Sequence, residues 1–87
     1  MIASDPEPVV LRLSQVRLRD TVELLRLDLP EEVAVPLMER GVLPGCRISP
    51  VRLTPGGDPV VLVDGTLLAL RMEVASRLYV SQPLGRG

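Results

Sequence analysis

Few side chains in this 87-residue chain could do chemistry. It holds one cysteine, Cys46, and eleven carboxylates but no histidine, and all ten of its basic residues are arginine. The usual general bases and Schiff-base nucleophiles are therefore missing. Two carboxylates could still share acid–base work, yet no spacing along the chain selects a pair. Cys46 could serve as a nucleophile or a metal ligand. A metal site needs several ligands in defined geometry. A reactive thiol needs a depressed pKa, which the neighbouring Arg47 does not by itself guarantee. Gly56-Gly57 is followed by neither a lysine-serine pair nor a helix, so it is no phosphate loop. These residues predict a non-enzymatic protein with no cofactor and no metal site, one that neither binds nor hydrolyses GTP.

Binding is the chemistry that remains. Arg71 presents a planar fork suited to a partner carboxylate or phosphate. Its alternative role is to bond nearby carbonyls where a strand becomes a helical turn. Leu37, Val42 and Leu43 either form an exposed apolar contact or act as core and corner residues. Tyr79 either anchors an interface, where tyrosine is enriched, or is the one aromatic of the core.

The elements that position these residues must be small. The chain is 46% hydrophobic and only 1% aromatic, so its core is leucine and valine, and nine prolines with seven glycines demand tight corners. The net charge is −1, with both signs spread along the chain. No basic run interleaved with aromatics is visible, which argues against nucleic acid as a partner. A single cysteine fits a reducing compartment. No apolar run approaches the roughly 18 residues of a membrane span, and Met1–Asp5 lacks the features of a signal peptide. A cytoplasmic location is expected, with any membrane reached only through a partner.

Residues 1–8 and 81–87 read as flexible tails around one domain over 9–80. Val9–Leu13 is a short strand or an extended cover. Thr21–Leu27 is a strand whose apolar set changes face between Leu24 and Leu25, as at a bulge. A short helix is expected from Pro30 to Arg40, with Pro36 either kinking or shortening it. Gly41 suits the left-handed position past a helix end. Pro44-Gly45 then turns the chain into a strand over Cys46–Leu53, where Pro50 implies an edge or a bulge. After a turn at Thr54–Pro59, Val60–Val63 and Thr66–Leu70 form a hairpin about Asp64-Gly65. A helical turn over Arg71–Arg77 precedes a last strand, Leu78–Val80. Gly41, Gly45, Asp58 and Gly65 are backbone-geometry residues of these turns. The sum is a mainly β protein: a small SH3-like barrel of about five strands, with one short α-helix after the first main strand and a helical turn before the last. Closure would remove exposed strand edges, while edges left open would permit weak self-association.

The run Leu37 to Gly45 resembles a family pattern of a leucine, a short polar stretch and Gly-Leu-x-Pro-Gly. Pro55 to Val60 resembles its Pro-x-Gly-Asp-Pro-Ile turn. Leu68-Ala69-Leu70-Arg71, then Glu73, Ala75 and Leu78-Tyr79-Val80, resemble its strand end, helical turn and final strand. The family is the FeoA-like proteins, and the resemblance covers roughly residues 20–80. It departs from the pattern at Pro36, and at Arg19-Asp20, where members usually carry a glycine. The resemblance implies a cytosolic accessory protein that binds the GTP-binding region of the ferrous-iron transporter FeoB, with Leu37, Val42, Leu43 and Arg71 as candidate contacts. The alternative is a stand-alone interaction module related to the C-terminal SH3-like domain of DtxR-type iron-dependent repressors.

Overall fold

A computed structural model describes residues 11–83 of the chain. Its strands are β1 (Leu11–Arg12), β2 (Val22–Leu27), β3 (Arg47–Leu53), β4 (Pro59–Val63), β5 (Thr66–Ala69) and β6 (Leu78–Val80). Helix α1 (Glu31–Glu39) lies between β2 and β3, and the single turn α2 (Met72–Ala75) precedes β6. All pairings are antiparallel, in the order β1-β6-β2-β3-β4-β5. The fold is mainly β as expected, with a sixth strand because Leu11–Arg12 pairs with β6. Val9, Val10 and the tail over 1–8 lie outside the described residues. So does most of the tail over 81–87, although Ser81 is fastened in both directions to Glu23. Its N–H donates to the Glu23 carbonyl at 2.9 Å, and its Oγ accepts from the Glu23 N–H at 2.9 Å.

Two bulges bend the sheet. The β2–β6 register shifts between Leu24 and Arg26, leaving Leu25 as the extra residue. Leu24 is fully buried and Leu25 is 52% exposed, so the bulge lies where the apolar pattern changes face. The β3–β4 register shifts between Pro50 and Arg52. Pro50 is tolerated in this interior strand because β2 has ended beside it, at the Val22–Ile48 pair. The bend wraps the sheet around Val22, Leu24, Ile48, Val61, Val63, Leu78 and Val80. Each fully buried side chain of this kind stabilises the fold by about 1.5–3 kcal/mol.

The two ends of the sheet do not pair. A 3₁₀ turn at Leu13–Gln15 follows β1 and meets α2, which follows β5. Helical turns rather than strand hydrogen bonds thus shut the cylinder. Full closure would remove strand edges; among the described residues β5 instead keeps one side unpaired.

The corner after α1 is a Schellman motif. Val42 N–H donates to the Leu37 carbonyl and Gly41 N–H to the Met38 carbonyl, both at 3.0 Å. Gly41 has φ +100°, which a residue without Cβ adopts at least cost. Gly45 N–H donates to the Leu24 carbonyl at 2.7 Å and Leu24 N–H to the Cys46 carbonyl at 2.9 Å, stitching the corner onto β2. Pro36 lies inside the nine-residue α1 without ending it. Pro36 and Glu32, whose carbonyl it deprives of a donor, are both exposed, where that loss matters least. Arg19 takes the left-handed conformation itself, with φ 77°, and its N–H donates to the Pro50 carbonyl at 2.6 Å.

Candidate functional site

Helix α1 is the longest helix and buries no residue completely. Val33, Ala34 and Leu37 are half-buried, while Val35 and Met38 are 45% and 37% exposed. Its apolar face is therefore only partly covered by the barrel. Between that face and the β5–α2 segment runs an open groove of about 460 Å³. Val33, Pro36 and Leu37 line the helix side, and Ala69, Leu70 and Val74 the barrel side. Glu32 and Arg71 place one charge of each sign at its walls. The surface is apolar with a polar rim, a shape and chemistry that suit an apolar side chain or a peptide.

The candidate contacts divide. Leu37 and Arg71 come together in this groove. Leu43, 43% exposed, lines a second open groove of about 440 Å³ with Pro44, Cys46, Arg47 and Asp64. Val42 is fully buried, so it is a core and corner residue and not the exposed contact that was its other reading. The Schellman motif turns the residue after Gly41 inward, so Val42 packs into the core beneath the helix end.

The turn residues act over longer distances than the sequence suggests. Gly45 and Gly65 have φ +93° and +83°, and Asp64, with φ 51°, completes the tight hairpin. Asp58 Oδ1 accepts from the Met72 N–H at 3.0 Å, while the Asp58 N–H donates to Thr54 Oγ1 at 3.1 Å. One carboxylate thereby ties the Thr54–Pro59 turn to the start of α2. The local pattern reads Asp58 as a turn residue and gives no hint of that second contact, fourteen positions away.

Tyr79 lies on the outer face, half-buried. Arg12 and Arg26 pair with it from either side in the sheet, their guanidinium carbons 5.9 and 4.7 Å from the ring centroid. Such cation–π contacts contribute about 0.5–1 kcal/mol at exposed sites.

Cys46 is half-buried and its thiol pKa is raised. Burial is the main cause, the charge of Asp64 acts in the same direction, and backbone hydrogen bonding at Leu43 opposes them. Among the described residues, no three histidine, cysteine or carboxylate side chains gather where they could hold a metal ion.

The FeoA domain model matches residues 11–82. The chain belongs to the FeoA domain family. This FeoA-family chain resembles the solution structure of a FeoA protein from Chlorobium tepidum, with a TM-score of 0.76 and 26% identity, over 88% of this chain and 81% of that one. It also resembles FeoA from Stenotrophomonas maltophilia in complex with zinc, with a TM-score of 0.71 and 30% identity, over 82% and 89% of the two chains. That protein is described as a prokaryotic SH3 domain protein and a proposed ferrous iron transport activating factor. IdeR from T. acidophilum shares the fold at 23% identity and a TM-score of 0.73, with 88% of this chain spanning 36% of that one. No curated protein matches the chain. FeoA-family proteins are small SH3-like proteins tied to ferrous iron transport. Among the described residues of this member, no helix is long and apolar enough to cross a membrane.

Proposed function

We propose that this chain is a non-enzymatic cytosolic accessory protein that binds the GTP-binding region of a FeoB-type ferrous-iron transporter, with the groove between α1 and β5 as the contact surface. One observation carries the choice of surface: α1 leaves its apolar face half-covered beside Leu70 and Val74. An incompletely covered apolar face has free energy to gain from a partner. Leu37 supplies the apolar contact, and Arg71 a forked donor for a carboxylate on the transporter. The absence of histidine and lysine, together with a thiol whose pKa burial raises, supports a role in binding rather than catalysis. Titration calorimetry of the chain against the transporter's cytosolic region tests the reading. Runs without nucleotide, with GDP and with a non-hydrolysable GTP analogue should give saturable heat in at least one state. No binding in any of the three refutes it.

A further inference from the structure

We infer that the partner enters this groove as an extended strand that adds to the free edge of β5. This rests on the proposed binding role and specifies how the partner is held. β4 and β5 are joined by a two-residue turn, with Val63 opposite Thr66, Leu62 opposite Leu67, Val61 opposite Leu68 and Val60 opposite Ala69. Beyond them, Leu70 N–H donates to the Pro59 carbonyl at 2.9 Å. Hydrogen-bonded pairs alternate along an antiparallel ladder. If Leu70 bonds towards β4, then Leu68 and Thr66 do the same. The N–H and C=O groups of Leu67 and Ala69 therefore point away from β4, to the side where no strand lies among the described residues.

The opposite edge of the sheet is treated differently. At β1 the Gln15 side chain accepts from the Arg12 N–H at 2.9 Å, and the chain at once leaves into its 3₁₀ turn. Among the described residues that edge is short and capped, as sheet proteins manage their edges. Among the described residues β5 is an edge strand with no such cap, and Ala69 at its end also lines the groove. A strand added there places alternate side chains over Leu70, Leu37 and Val33, so the backbone gives affinity and the groove selects the side chain. The occupant is thus an extended segment of the partner with an aliphatic residue facing α1. A helix would fill the groove but leave the Leu67 and Ala69 groups unpaired.

Ala69→Pro removes one outward-facing donor, at an edge position where proline is tolerated. In calorimetry with the transporter's cytosolic region, the variant should bind about tenfold more weakly. Amide hydrogen exchange on the unaltered chain supplies a second readout that needs no variant. Adding the cytosolic region should slow exchange at Leu67 and Ala69 at least tenfold, with Thr66 and Leu68 changing little. Unchanged affinity of a folded Ala69→Pro variant, or unslowed exchange at Leu67 and Ala69 in a complex that does form, overturns strand addition and leaves the partner reading standing. Slowing at these amides with rising protein concentration alone makes a second copy the occupant and overturns the partner strand. Failure of the unaltered chain to bind removes the partner reading and this inference with it.

Discussion

Truncation of Val42 separates core from contact surface at the corner. Val42 is fully buried beneath the end of α1, next to Leu43, which is 43% exposed. Val42→Ala deletes two methyl groups, worth about 1.6 kcal/mol as transfer free energy. The space left behind adds about 1 kcal/mol at about 24 cal/mol per Å³ for a void of some 40–50 Å³. The expected loss is about 2–3 kcal/mol, which for a domain of this size lowers the melting temperature by about 10–20 °C. Far-UV circular dichroism is the suitable assay, because the chain has no tryptophan and a single tyrosine. Leu43→Ala is the internal comparison and should cost less than about 1 kcal/mol. Equal small losses for the two variants would refute the inward turn of the corner.

Arg19→Gly relieves a left-handed backbone that costs a side-chain-bearing residue about 1–2 kcal/mol and returns about 0.5–1 kcal/mol as unfolded-state entropy. The variant should be as stable as the parent or up to about 1 kcal/mol more stable by urea denaturation, and a clear loss contradicts the φ of 77°. Asp58→Ala leaves the Met72 N–H without its acceptor and should cost about 1 kcal/mol, as for other lost helix caps. In the same variant, amide exchange at Met72 should accelerate. The raised Cys46 pKa leaves less thiolate at a given pH, so alkylation by iodoacetamide near pH 8 should be slower than for a free cysteine. A rate equal to or above the free thiol's contradicts the burial argument.

The fold was legible because its punctuation is local. The change of face at Leu24–Leu25 marks a bulge, and the Gly41 helix end and the Asp64-Gly65 turn mark element boundaries, that the structure contains. Pro50 likewise signalled an edge or a bulge, and the structure contains the bulge. Relations between distant segments were not legible. The Asp58–Met72 contact joins residues that no period relates. The open β5 edge depends on which strands fail to meet. The groove was half legible. Leu37 and Arg71 were visible as an apolar and a charged residue, but only folding places them on facing walls, and no spacing in the sequence separates them from Leu43. Val42 stayed undecided between core and contact because the inward turn depends on the backbone bonds of the Schellman motif, whereas a Val-Leu pair alone looks equally apolar at both positions.

The most direct measurement is a chemical-shift titration of the isotopically labelled chain with the cytosolic region of the transporter. Perturbed amides should cluster at Val33, Leu37, Leu67, Ala69, Leu70 and Val74 and spare the corner around Leu43 and the Arg12–Tyr79–Arg26 row. Perturbations centred on Leu43, Arg47 and Asp64, with those groove amides unmoved, contradict the groove as the contact surface.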